Sequence, residues 1–177
     1  AVVSGWPRYG RHVLFASSRT PNSPPSFGLF TVPFEGGPER RVTMSEGKEG
    51  VVSPDGREIA YVRGPGTWYR KGYRGSSNDD VWICNADGTN NRRVTSFNGQ
   101  DSSPMWSADG QSLYYVSEFH GVSNVVRFSV ASLLAGKGSA ELTKPVPVTN
   151  HAEEAVRRAR VSRDGNWIVY ECGGDLW

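Results

Sequence analysis

Three short strings recur along this chain at almost constant spacing: Ser53-Pro54-Asp55-Gly56, Ser107-Ala108-Asp109-Gly110 and Ser162-Arg163-Asp164-Gly165, with the aspartates 54 and then 55 residues apart. A period of that size marks a repeat architecture, in which each unit buries its apolar surface only against its neighbours. Each Asp-Gly is followed by an apolar stretch, Ile59-Ala60-Tyr61-Val62, Leu113-Tyr114-Tyr115-Val116 and Ile168-Val169-Tyr170. Every copy therefore reads as a tight turn feeding a buried strand.

Alignment on the turn exposes three further landmarks. A strand before the turn is seen in Val51-Val52, Met105-Trp106 and Ala159-Arg160-Val161, and Gly5-Trp6-Pro7-Arg8-Tyr9-Gly10 fits the same slot with Tyr9 in place of the aspartate. A third strand follows at Gly28-Leu29-Phe30, Asp80-Val81-Trp82, Asn124-Val125-Val126 and Asp175-Leu176-Trp177, and a fourth at Arg40-Arg41-Val42-Thr43, Arg92-Arg93-Val94-Thr95 and Val146-Pro147-Val148-Thr149. Four antiparallel strands per unit of this length describe a propeller blade, which manages sheet edges by radial repetition. The expected fold is all-β, with blade 1 at 1–47, blade 2 at 48–98, blade 3 at 99–152 and an incomplete blade 4 at 153–177. About three and a half blades are present where closed propellers usually need about four to eight. A partial propeller of this kind is expected to expose apolar blade faces and to depend on further blades or on self-association.

Composition agrees with many short strands joined by turns: 177 residues with 21 Gly, 11 Pro and 11% aromatics. The 20 basic and 18 acidic residues are too balanced for wholesale nucleic-acid binding. No stretch approaches the 18 or so apolar residues of a membrane span, and the opening Ala1-Val2-Val3-Ser4-Gly5 is too short for a signal peptide, so membrane insertion is not expected and the compartment, cytoplasmic or periplasmic, stays open. Cys84 and Cys172 fall at different points of the repeat and in non-neighbouring copies, which suits buried thiols better than a disulfide or a zinc site.

The motif Ser53-Pro54-Asp55-Gly56-Arg57-Glu58-Ile59-Ala60-Tyr61-Val62, followed by Asp80-Val81-Trp82-Ile83 and Arg92-Arg93-Val94-Thr95, resembles the propeller repeat shared by TolB, tricorn protease and prolyl-oligopeptidase-like enzymes. The similarity spans essentially the whole chain. Within blade 2, Tyr69-Arg70-Lys71-Gly72-Tyr73-Arg74-Gly75 looks like a loop in the first propeller of tricorn-type proteases. The resemblance implies a non-catalytic propeller that guides or filters peptides for a peptidase encoded downstream, and no catalytic residue of that family has a matching position. The alternatives are a TolB-like interaction scaffold without enzyme activity and a structural or engineered fragment that assembles with its own copies.

Function in a repeat protein is sought where the repeat is broken. The conspicuous departure is the insertion from Gly64 to Asp79, between the second and third strands of blade 2, which carries Trp68, Tyr69, Arg70, Lys71, Tyr73 and Arg74. Guanidinium groups beside aromatic rings suit a carboxylate or phosphate bound by bidentate bonds next to a stacking surface. Equally, the aromatics serve to fold the loop onto the adjoining blade while the cations stay solvated. Arg157, Arg158 and Arg160 lead into the innermost strand of blade 4, where they either face the channel and attract acidic groups or pair with Glu153 and Glu154 on a short helical turn opened by Asn150. The segment Ala131 to Pro145 reads as a solvated loop without chemistry.

The repeated aspartates are expected to be turn-formers. Calcium would need several oxygens converging on one ion, which single aspartates one repeat apart do not supply locally. The sequence offers neither a Gly-x-Ser-x-Gly elbow nor a paired-histidine metal motif, and only His12, His120 and His151 are available as bases. No catalytic residue, metal or cofactor is assigned within the chain, and the expected partner is a peptide or protein.

Overall fold

A computed structural model describes residues 2–5, 11–18, 27–43, 46–67, 70–134 and 144–177. Among these residues the strands form four antiparallel sheets. The first contains β1 (Val2–Gly5), β2 (His12–Ser17), β3 (Gly28–Pro33) and β4 (Arg40–Arg41), and the second β5 (Lys48–Val52), β6 (Glu58–Arg63), β7 (Asp80–Asn85) and β8 (Arg92–Arg93). The third contains β9 (Asp101–Trp106), β10 (Ser112–Ser117), β11 (Asn124–Ser129) and β12 (Val146–Pro147), and the fourth β13 (Arg157–Val161), β14 (Ile168–Cys172) and β15 (Asp175–Leu176). Each strand pairs only with its neighbours in sequence, so every sheet is a meander, and β1, β5, β9 and β13 lie against one another in series. That arrangement is a partial β-propeller with these four strands innermost. One helical turn, α1 (Ala131–Leu134), follows the third sheet's β11. Of the first copy's degenerate turn, residues 6–10 lie outside the described residues.

The Ser-x-Asp-Gly strings close the turns between first and second strands. Ser53 Oγ donates to Asp55 Oδ1 at 2.6 Å, and the same oxygen accepts from Arg57 N at 3.0 Å. Ser53 Oγ in turn accepts from Glu58 N at 2.9 Å. The same bonds recur around Asp109 and Asp164. These bonds, led by the serine hydroxyl, hold all three aspartates below the usual carboxylate range. The aspartates are thus consumed by their own turns. The threonine of the fourth-strand landmark has a similar use: Thr43, Thr95 and Thr149 Oγ1 accept from Leu29, Val81 and Val125 N at 3.0, 3.0 and 2.9 Å.

The middle sheets are buried on both faces, which explains why their second strands are continuous apolar runs rather than alternating ones. Leu14, Ala16 and Leu29 pack on Ile59, Tyr61 and Cys84; Ala60, Val81 and Ile83 pack on Leu113, Tyr115, Val126 and Phe128; Met105, Val116 and Val125 pack on Val156 and Ala159. The fourth sheet has one covered face only: Ile168 and Tyr170 pack inward, while Trp167, Val169, Leu176 and Trp177 are 72%, 49%, 76% and 60% exposed. Cys84 and Cys172 are buried free thiols, and burial pushes Cys84 up to about 11.

Candidate functional site

The insertion between β6 and β7 is a built structure. It leaves β6 through Gly64, whose φ of +140° and whose 2.3 Å clearance between a virtual Cβ and Asn78 O admit no side chain. It re-enters β7 through Asp79, a buried carboxylate that receives Lys48 Nζ at 2.9 Å and Gly66 N at 2.8 Å. Lys48 Nζ also donates to Gly66 O at 2.8 Å, so the first residue of β5 clasps both ends of the loop. Burial raises Asp79 despite that cation, a sign of how little water reaches the clasp.

The tip leans onto the third sheet. Glu118, just past β10 and 5% exposed, accepts from Gly72 N at 3.0 Å and from Arg74 Nη1 at 3.1 Å. The Arg74 guanidinium lies 4.7 Å from the Phe97 ring centroid, and Asn98 Oδ1 accepts from Gly75 N at 2.8 Å. Arg70 sits 3.9 Å over the ring of Tyr73, whose hydroxyl accepts from Ser77 N at 3.4 Å. Arg70 and Lys71 are exposed. Trp68 and Tyr69 lie outside the described residues. Of the cations expected at the loop, Arg74 is therefore occupied in holding it to the next blade, whereas Arg70 and Lys71 face outward.

The second expected group separates along β13. Arg158 Nη1 pairs with Glu171 Oε1 at 3.0 Å on the neighbouring strand, and residues 152–154 form a bend, so the helical turn with Glu153 and Glu154 does not form. The pair is largely exposed and worth little. Arg160, by contrast, lines an inner-wall cavity of about 240 Å³ with Lys48, Glu49, Val51, Ser103 and Pro104. Arg157 is half-buried. The loop's bonds among the described residues run to β5 and to the connections flanking β9 and β10, so loop cations and β13 cations form two separate groups.

Sequence reasoning missed the residues that shape the inner wall. Glu49, Ser103 and Arg158 have φ of +51°, +52° and +50°, each at a register shift in its innermost strand. Each lies six residues before the aspartate of its turn, yet the three side chains share nothing that marks the position in the sequence. Among the described residues no group of three or more His, Cys, Asp or Glu is placed to hold a metal ion.

Four-stranded meanders gathered by their first strands define this chain as a segment of β-propeller. The chain belongs to the family of the tricorn protease N-terminal beta propeller domain, whose model matches residues 1–177. Among solved structures it is similar to a putative TolB from Agrobacterium tumefaciens, with a TM-score of 0.69 and 18% identity over 91% of this chain and 50% of that one. It is similar to the β-propeller domain of the Trilobed protease from Pyrococcus furiosus, with a TM-score of 0.57 and 12% identity over 99% of this chain and 56% of that one. It also resembles the tricorn protease itself, with a TM-score of 0.51 and 17% identity over 94% of this chain and 20% of that one. This chain thus spans 20% to 56% of the length of those three structures, and at such identities the likeness is one of fold. No curated protein matches the chain. The family is that of a propeller region, the non-catalytic part of such peptidases. No helix among the described residues is long and apolar enough to cross a membrane.

Proposed function

We propose that this propeller segment binds peptides or a protein partner at the end of the blades where the β6–β7 insertion stands, and that it guides or filters substrates for a tricorn-like serine peptidase. The observation that carries the reading is the insertion itself: Lys48, Asp79 and Glu118 fix its frame while Arg70 and Lys71 are left exposed. A loop held by ion pairs to two buried carboxylates has already lost much of the entropy that a free loop would lose on binding, so its cations are preorganised for an acidic or carboxylate-bearing ligand. Tyr73 stiffens Arg70 by stacking, and Trp68 and Tyr69 belong to the proposed surface by sequence position. Arg74 supports the loop, while Arg157, Arg158 and Arg160 extend the positive charge along the innermost strand of the fourth sheet.

The test is peptide binding by fluorescence anisotropy with wild type and an Arg70→Ala/Lys71→Ala double variant of unchanged circular dichroism. Loss of affinity by roughly tenfold or more, steeper at low salt, supports the reading. Equal binding by the two proteins refutes it and favours a scaffold that engages its partner elsewhere.

A further inference from the structure

Asn98-Gly99 is the one asparagine-glycine pair in the sequence, and it lies in the connection between β8 and β9. Such a pair is chemically labile, because the glycine nitrogen attacks the asparagine side-chain carbonyl carbon with no Cβ in its path. Here the glycine is required by packing: a Cβ at Gly99 would meet Phe97 Cε1 at 2.3 Å and Arg74 Nη1 at 2.7 Å. The fold therefore demands the very residue that leaves Asn98 open to attack.

The surroundings favour the reaction. Gly99 N donates at 3.0 Å to Phe97 O within its own turn, so its approach to Asn98 Cγ breaks no strand-ladder bond. Asn98 is exposed, and among the described residues its side chain is held through Oδ1 alone, which accepts from Gly75 N at 2.8 Å. That N–H donates to the oxygen on which negative charge develops during the attack, as a donor in an oxyanion hole does. The Arg74 guanidinium beside Gly99 favours the deprotonated nitrogen that attacks.

The same segment seats the insertion. Asn78 Nδ2 donates to Phe97 O at 3.3 Å and to Gly99 O at 3.0 Å, and Arg74 lies on the Phe97 ring. We propose that Asn98 is a spontaneous modification site, at which cyclisation on Gly99 and conversion to isoaspartate unseat the tip of the β6–β7 insertion. Gly99 N bonds to Asn98 Cγ, the Cγ–Nδ2 bond breaks, and ammonia leaves with the proton from Gly99 N. Water then opens the succinimide. Opening at Cγ gives aspartate, whose carboxylate still accepts from Gly75 N. Opening at the main-chain carbonyl gives isoaspartate, whose main chain runs through the side-chain methylene. Phe97 O and Gly99 O are then one carbon further apart along the chain, and Asn78 no longer reaches both. The inference goes beyond peptide binding and does not depend on it.

The test incubates the protein at neutral and mildly alkaline pH and maps each asparagine by mass spectrometry. Endoproteinase Asp-N, which cuts before aspartate but not before isoaspartate, tells the two products apart. Asn98 should convert at least tenfold faster than any other asparagine, and no more slowly in the folded chain than in the same chain unfolded in urea. Conversion tenfold slower in the folded chain, or an absence of isoaspartate at this position, overturns the site. Asn98→Gln, which keeps an amide but closes a less favourable ring, should stop the conversion, and Asn98→Asp copies the other product. The Gly75 amide should keep its wild-type exchange rate in Asn98→Asp and exchange roughly tenfold faster in the purified isoaspartate form. Wild-type exchange in the isoaspartate form, or equal acceleration in Asn98→Asp, overturns the unseating.

Discussion

Replacing Asp101 with valine should make the protein more stable, and increasingly so as the pH rises. Asp101 opens β9 with its side chain wholly buried between the second and third sheets. Its N–H donates to Asp79 O at 3.0 Å, as Gly47 N does to Phe27 O and Val156 N to Ser123 O, so these three residues occupy one position of the repeat. In two blades that position holds nothing or an apolar side chain, and in the third a carboxyl group whose oxygens lack a well-formed hydrogen bond. Burial pushes Asp101 up to about 7; the nearby Ser117 and Thr95 hydroxyls and the Arg93 cation pull it down, and Asp80 adds repulsion.

The sign follows from which state keeps the proton. Below about pH 4 the carboxyl is neutral in both folded and unfolded chains, so ionisation adds no penalty there. Between there and about pH 7 the unfolded chain ionises while the folded one stays protonated, so stability falls by about 1.4 kcal/mol per pH unit. The loss reaches ~4 kcal/mol and then levels off, which for a chain of this size corresponds to roughly 10 °C in midpoint. Urea unfolding of wild type and Asp101→Val between pH 4.5 and 8.5 reads the difference directly, because titration of other groups cancels. The difference between the two proteins should be smallest at the acid end and grow toward pH 7. A constant difference across that range would refute a buried, neutral Asp101.

Two further outcomes concern the loop frame. Glu118→Ala removes the acceptor of both Gly72 N and Arg74, and because Arg74 is itself partly exposed the local cost should be near the lower end of the usual range for charged hydrogen bonds, about 1.5 kcal/mol. Amide exchange at Gly72 should accelerate roughly tenfold while the exchange of β6 and β7 is unchanged. Gly64→Ala forces a side chain into a left-handed residue against Asn78 O, so limited proteolysis should cut within 70–75 much faster than in wild type.

Most of the fold was legible because each blade uses the same side chains for the same bonds. Asp55, Asp109 and Asp164 accept from their own turns, and Thr43, Thr95 and Thr149 cap third-strand amides, so type and spacing coincide with function in the structure. The innermost bulges were not legible because backbone conformation repeats there while side chains do not: Glu49, Ser103 and Arg158 share a φ and nothing else. The insertion was visible as a break in the repeat, yet the division of labour among its cations depended on Glu118, 44 residues beyond Arg74. Arg158 likewise found its partner across a hairpin, on Glu171, rather than on the nearby Glu153 or Glu154.

Amide hydrogen exchange with and without an acidic peptide tests most directly whether peptides bind at the β6–β7 insertion. Binding there should confine protection to residues 70–75 and the connections that hold them, around Asp79 and Glu118. Protection confined instead to the exposed face of β14 and β15, with the insertion unchanged, would contradict it.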